Sequence, residues 1–362
     1  MSPSTGIKPE LLGLLRGYGA LISPNLLHFP IHLPFTYVHD FLLDSILLNG
    51  HFVEFPPSDH YQTFFWKWVI SHLETMAVEE EDLEIDTRFY DRHIALLSAG
   101  ASTSQAPPPS FITYFFEDSL RNKALKRPGS FIGLNAITLL ESRTTIESGT
   151  TGLRTWTASF VLACLLASQP NLIIDRNVME LGAGSGFLGV FTAHLQLGYG
   201  DAERMPSICL TDVNDEVLQR CNNNIRLPCN SSSRHQNISV RSLDWTDAMD
   251  ADRTPHLQRV LDEIDPDIIL GADIVYHPDI IPALVATLKL ALETKSERHR
   301  EVFLVLTVRN ESTLERFVGA VTAEASLCTE ELVPPKNAED MFLPPQGGPE
   351  SVVRIFKISI RR

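Results

Sequence analysis

VMELGAGSGFLGV (178–190) is the stretch on which the fold turns. NVMELG (177–182) has the unbroken apolar character of a buried strand, and the residues beyond Gly186 open a helical pattern. Glycines at such a strand-to-helix junction let the backbone turn tightly and come close to a bound nucleoside, because no Cβ stands in the way. Two spacings overlap here. Glu180, Gly182, Gly184 and Gly186 form E-x-G-x-G-x-G, whereas Gly184, Gly186 and Gly189 form the G-x-G-x-x-G of dinucleotide binding. The spacing alone does not choose between them.

Outward from this loop, short β-rich runs alternate with amphipathic helical ones. SICLTD (207–212), ISVRSLD (238–244), DIILGA (267–272) and EVFLVLTV (301–308) are further candidate strands. ASLCTEELV and SVVRIFKISI follow with a Pro- and Gly-rich loop between them and no helix. The pattern predicts an α/β, Rossmann-like sheet of seven strands: five parallel strands finished by an antiparallel hairpin, with helices on both faces.

Several strand ends carry chemistry. Asp212, in TDVNDEV, sits where a carboxylate can accept the hydroxyl protons of a ribose, and Asn214 is placed to cap the next helix. In LDW (243–245), Asp244 can accept from an adenine amino group while Trp245 packs on the ring. DIILGADIVYHPDII (267–281) ends a strand at Ala272 and at once presents Asp273 and Tyr276. In an open α/β sheet, ligands bind beyond the carboxyl ends of the strands, which is where this pair falls.

The rest of the chain sets bounds. Its 362 residues allow about two domains, and a net charge of −15 argues against sequence-independent nucleic-acid binding. The N-terminal residues lack an export signal and no apolar run is long enough to span a membrane, so a cytoplasmic protein is expected. Five scattered cysteines without a C-x-x-C pair suggest neither disulfides nor a metal site, only buried or half-buried thiols. ASTSQAPPPS (101–110) has a linker's composition, which divides the chain into residues 1–110 and 111–362. In the first part, Phe65, Trp68, Val69, His72 and Leu73 predict an amphipathic helix, and EEEDLE (79–84) reads as a solvated helix end or loop. This mainly helical region carries no chemical motif, and substrate recognition is the role expected of it.

Taken together, ELGAGSG, TDVNDEVL, LDW, GADIVY and TTGLRTWTAS (150–159) resemble the family 16 group of seven-β-strand protein methyltransferases. Within it, the extra N-terminal region and SGTTGLRTW are similar to the elongation factor 2 lysine methyltransferases. The resemblance implies S-adenosyl-L-methionine as cofactor, contacted by Trp156, Gly182, Ala183, Gly184, Asp212, Trp245 and Ala272; Glu180 of the glycine motif and Asp244 of LDW join them as expected cofactor residues. It makes Asp273 and Tyr276 the family's D-x-x-Y pair at the target lysine. It also implies a monomeric enzyme with a protein substrate, elongation factor 2. Asp273 would then recruit and orient the lysine and Tyr276 would align its amine, which must lose its proton before transfer. Longer connections at DAERMPS (201–207) and PCNSSSRHQ (228–236) are expected to alter loop geometry near ribose and adenine. Competing readings are a methyltransferase of the same group acting on another protein, a nicotinamide-dependent dehydrogenase, and a non-catalytic cofactor-binding module. A nucleic-acid or glutamine methyltransferase would carry N/D-P-P-Y where this chain has Asp-Ile-Val-Tyr.

Overall fold

The computed structural model describes residues 7–79, 83–99, 107–117, 133–147, 149–201, 204–293, 298–335, 341–343 and 352–361. Packing divides the chain into two compact units, Met1–Thr145 with Phe342–Gly347, and Ile146–Met341 with Gly348–Arg362.

The first unit holds helices α1 (Pro9–Gly19), α2 (Phe35–Leu42), α3 (Gly50–Glu54), α4 (Asp59–Glu79) and α5 (Thr87–Ala99), followed by the antiparallel pair β1 (Ser110–Phe116) and β2 (Asn135–Glu141). Its core gathers Leu11, Leu15, Val38, Phe65, Trp66, Val69, Leu73 and Phe89. The helix expected around Phe65 forms as α4, but its buried stripe is rotated. Tyr61, Phe65, Val69 and Leu73, with Trp66 and Ile70 beside them, face the core, while Trp68 and His72 lie at its edge against Phe29. The cause is a second i, i+4 row, 62–66–70, whose tryptophan has more apolar surface to bury than His72. Because β1 pairs with β2 inside this unit, the division by packing falls after Thr145 and not at 110. Residues 80–82 of the acidic run and 101–106 of the linker lie outside the described residues.

The second unit is built on strands β3 (Val178–Leu181), β4 (Ile208–Asp212), β5 (Ile238–Ser242), β6 (Ile268–Ala272), β7 (Glu301–Thr307), β8 (Leu327–Leu332) and β9 (Val353–Ile360). They lie in the order β5-β4-β3-β6-β7-β9-β8. Neighbours from β5 through β7 run parallel, and β9 is antiparallel to both β7 and β8. This is the expected sheet, with the hairpin joined to β7 by its second strand. Helices α6 (Thr157–Ser168), α7 (Phe187–Tyr199), α8 (Asp215–Ile225), α9 (Thr254–Ile264), α10 (Ile281–Leu292) and α11 (Glu311–Ala323) accompany it. Asn214 caps α8 by accepting from the N–H groups of Glu216 and Val217. β3 is buried at all four positions, which is why it reads as an unbroken apolar run.

Chain direction positions the site. From β3 the chain steps outward to β4 and β5, then crosses back to pair β6 with β3. The resulting crevice opens at the carboxyl ends of β3, β4 and β6. The two lengthened connections enter β4 and β5 at their amino ends, on the opposite edge of the sheet. Asn230, Ser232 and His235 of the second are buried and tied to Asn224, Ile225 and Gln196. None of the described residues of either connection lines the crevice, so no altered geometry at ribose or adenine follows from them. Four of the cysteines are buried or half-buried, but Cys328, on β8, is exposed.

Candidate active site

The glycine loop turns by left-handed backbone at Gly182 (φ 63°), Gly184 (φ 55°) and Gly186 (φ 91°). A Cβ on Gly182 would stand 2.8 Å from Ile274 Cγ2, and one on Gly184 3.1 Å from the Gly152 carbonyl oxygen. Gly189 serves a different need inside α7, where a Cβ would run into the Leu210 side chain of β4. Both overlapping spacings are therefore used, one for turning the chain and one for helix-to-strand packing.

Side chains brace the loop from below. Thr211 donates its hydroxyl to the Glu180 carbonyl at 2.7 Å, and Ala183 N–H donates to the Thr211 carbonyl at 2.9 Å. Asn224 Nδ2 holds the Ser185 carbonyl at 2.9 Å, and the Ser185 and Thr155 hydroxyls are 2.9 Å apart.

Above the loop lies a cavity of about 310 Å³, lined by all eleven residues singled out in the sequence: Trp156, Glu180, Gly182, Ala183, Gly184, Asp212, Asp244, Trp245, Ala272, Asp273 and Tyr276. Asp212 Oδ1 accepts from the N–H groups of Val213 (2.8 Å) and Asn214 (3.2 Å), and Oδ2 from Gly184 N–H (3.4 Å). Burial pushes its carboxyl upward in pKa, against those three hydrogen bonds. Glu180 is 3% exposed, and its Oε2 has no hydrogen-bond partner. Burial first and the charge of Asp212 second raise its pKa well above the ordinary range, with the Gly189 N–H pulling the other way. Asp244 commits Oδ1 to the N–H and hydroxyl of Thr246, which caps the short turn Trp245–Met249. Trp245 is half-buried, its ring edge 3.8 Å from where a Gly182 Cβ would be.

Asp273 has more partners than its sequence position suggests. Its backbone is left-handed (φ 57°), a conformation that aspartate tolerates better than most residues. The main chain still donates to the Val305 carbonyl at 2.8 Å, while the turn carries the side chain toward the end of β7. There Oδ1 accepts from Thr307 N–H (2.8 Å), and Oδ2 accepts from the Thr307 hydroxyl (3.0 Å) and from Arg309 Nη2 (2.8 Å). The Arg309 guanidinium also lies 4.9 Å from the centre of the Trp156 ring, and that of Arg154 lies 5.0 Å from it. The Trp156 indole N–H donates to the Thr151 carbonyl at 3.1 Å. Tyr276, 65% exposed, stands at the mouth.

The sequence reading missed Arg154, Arg309 and Thr307. Arg154 lies inside the TTGLRTWTAS motif, and Arg309 follows the end of β7, where the strand-end rule that selected Asp212 and Asp273 would have found it.

The cavity suits a nucleoside with a charged tail. Its volume is at the lower end of small-ligand sites, about 300–1,000 Å³. The glycine floor admits close approach, Asp212 keeps unused acceptor capacity on Oδ2, and Glu180 offers an unpaired oxygen.

Comparison with known proteins agrees. A family model described as lysine methyltransferase matches residues 137–323. The protein-lysine N-methyltransferase EFM3 of Chaetomium thermophilum is 30% identical over 289 residues, 78% of this chain and 79% of that protein. The protein-lysine N-methyltransferase EEF2KMT of Homo sapiens is 31% identical over 190 residues, so the match spans about half of either chain, 50% of this one and 53% of the human protein. A solved structure, a SAM-dependent O-methyltransferase of Thermotoga maritima, aligns with 64% of this chain and 76% of its own at 13% identity and a TM-score of 0.37, too slight a likeness to add to the case. The chain belongs to the lysine methyltransferase family. It is an S-adenosyl-L-methionine-dependent transferase, and the nicotinamide reading falls with that assignment.

Proposed function

We propose that this methyltransferase acts on a lysine of translation elongation factor 2, in the cytoplasm. The reading is carried by the meeting of Asp273 and Tyr276 with the nucleoside-facing residues at one cavity. It is supported by the resemblance of the N-terminal region and SGTTGLRTW to the elongation factor 2 enzymes, and by the human relative EEF2KMT.

In this reading Asp212 holds the ribose, Asp244 and Trp245 hold the adenine, and the glycine loop, Glu180, Ala272 and Trp156 enclose the remainder of the cofactor. When bound, the cofactor supplies an electrophilic methyl group on a sulfonium. The chain must then exclude water and hold an uncharged lysine amine in line with that methyl, at roughly 3–3.5 Å. A lysine amine is ordinarily protonated, with a reference pKa of about 10.4, so the site must also favour loss of that proton. Asp273 orients the amine and Tyr276 lies along the lysine stem.

The first unit carries recognition of the folded factor. It has a core of its own, it lacks cofactor motifs, and Phe64 of α4 and Ile94 of α5 expose 56% and 59% of their surface. Phe64→Asp with Ile94→Asp is expected to slow methylation of the factor while leaving adenosylhomocysteine binding unchanged.

The deciding experiment incubates the full chain with labelled adenosylmethionine and purified elongation factor 2, and maps the label by mass spectrometry. Label on one lysine, lost in Asp273→Ala with cofactor affinity kept within a few-fold, is the expected result. Label on other proteins of an extract but never on the factor would remove the substrate assignment. Collapse of cofactor binding in Asp273→Ala would move that residue into the nucleoside site.

A further inference from the structure

The carboxylate assigned to the acceptor lysine is already engaged. An ionised carboxylate offers about four acceptor positions. Thr307 N–H takes one on Oδ1, and the Thr307 hydroxyl and Arg309 Nη2 take both on Oδ2. A single position remains, on Oδ1. The Asp273 side chain is 5% exposed, so its ion pair with Arg309 is shielded on the aspartate side, while Arg309 itself is 44% exposed.

An unpaired carboxylate beside the reacting nitrogen would stabilise the ammonium, the form that cannot accept a methyl group. A carboxylate whose charge is already met by a guanidinium can still accept one hydrogen bond from a neutral amine. We propose that Arg309 is a positioning residue that sets the charge at the methyl-acceptor end of the cavity: by pairing with Asp273 it leaves one acceptor position for an incoming lysine amine without the negative charge that would hold that amine protonated.

This rests on reading the cavity as the site of adenosylmethionine and lysine. The other charged or titratable groups that line it are Arg154, Glu180, Asp212, Asp244 and Tyr276. Among them, Glu180 is driven toward its neutral form by burial, and Arg154 adds a second guanidinium beside Trp156. Arg309 also stacks near the Trp156 ring, so one side chain fixes both a wall of the cavity and the charge of Asp273. Lysine could supply the charge but not a planar guanidinium that donates to the carboxylate from one nitrogen while lying against an indole.

The test compares a charged ligand with a neutral one of the same shape. Adenosylmethionine carries a sulfonium and adenosylhomocysteine a thioether, so the ratio of their affinities reads the potential at the methyl centre without any turnover. Calorimetry would be run on the full chain as wild type, Arg309→Gln, Arg309→Lys, and Arg309→Gln with Asp273→Asn. In Arg309→Gln the exposed Asp273 charge should shift the ratio toward adenosylmethionine by about three- to tenfold, a range that allows for solvent screening of a half-exposed site. Arg309→Lys should stay within about twofold of wild type, because the charge is kept. The double variant, with neither charge, should return to within about twofold of wild type.

Adenosylhomocysteine binding in each variant reports an intact pocket. An unchanged ratio in Arg309→Gln, or a shift that persists in the double variant, would overturn the proposal. Loss of both ligands in Arg309→Gln alone would place Arg309 on the nucleoside and overturn it also. Failure of the wild type to bind either ligand would instead overturn the cofactor reading of the cavity.

Discussion

Gly182→Ala should damage stability and cofactor binding together, by an amount that can be built from the structure. Two costs add. The backbone at Gly182 is left-handed (φ 63°), which costs a residue with a Cβ about 1–2 kcal/mol. The new methyl would also lie 2.8 Å from Ile274 Cγ2. Ile274 has little room to yield, since it is 4% exposed and its Cδ1 lies 2.7 Å from where a Cβ on Gly271 would be. Overpacking of that kind costs about 1–3 kcal/mol, for a total of about 2–5 kcal/mol. Two comparisons separate the costs. Gly149 has a left-handed backbone (φ 75°) with nothing within 4 Å of an added Cβ, so Gly149→Ala should show only the first, about 1–2 kcal/mol. Gly319, in α11, also has open space at its Cβ, and Gly319→Ala should stabilise by up to about 1 kcal/mol. Urea denaturation would be followed by circular dichroism, using the transition that adenosylhomocysteine raises, because that one belongs to the unit with the cavity. If Gly182→Ala were no less stable than Gly149→Ala, the close approach of the loop to Ile274 would be refuted.

Other variants probe the polar groups. Asp212→Ala should abolish measurable adenosylhomocysteine binding in calorimetry while the chain keeps its circular dichroism spectrum; retained affinity would take Asp212 off the ribose. Glu180 has a folded pKa raised above its unfolded value, so its contribution to stability is whole at low pH and lost as pH rises toward the folded value. Wild type should therefore lose ground to Glu180→Gln as pH rises through and above the ordinary glutamate range, by at most about 1.4 kcal/mol per pH unit, and a gap in urea midpoints that ignores pH would refute this. His235 runs the other way: burial lowers its pKa from 6.5 to about 4, and its ring donates from Nε2 to Gln196 and accepts at Nδ1 from Asn237, which fixes the neutral form. Its contribution is present above about pH 6.5 and lost as pH falls toward 4, at most about 3 kcal/mol in all once screening is allowed for. His235→Gln should flatten that part of the acid limb in a pH series of urea melts.

Much of the second unit was legible because period and punctuation coincide there. β3 and β6 are short apolar runs closed by glycine or by a carboxylate, and α8 and α11 begin at capping asparagines, Asn214 and Asn310. The strand-end rule then collected Asp212, Asp244 and Trp245 into one site without knowledge of any distance, and the family resemblance added Trp156. What stayed hidden has physical causes. β1, SFITYFF, is as unbroken an apolar run as β3, but no glycine turn into an amphipathic helix follows it to mark it as a strand. The stripe of α4 is set by which aromatic the rest of the core has room for, and spacing alone cannot rank Trp66 against Trp68. The pairing of Asp273 with Arg309 was hidden because the two are 36 residues apart and meet only when β6 and β7 pair.

The position of β9 between β7 and β8 has a consequence for how the sheet is assembled. β8 is synthesised before β9, yet among the described residues its only partner in the sheet is β9. Until β9 arrives, β7 presents an open edge and β8 has nothing to pair with, both of them ready templates for another chain. The parallel half of the sheet can form as it emerges from the ribosome, but its closing edge must wait for a strand threaded in from downstream. Released chains truncated between residues 333 and 352 should therefore be the ones that most need a chaperone.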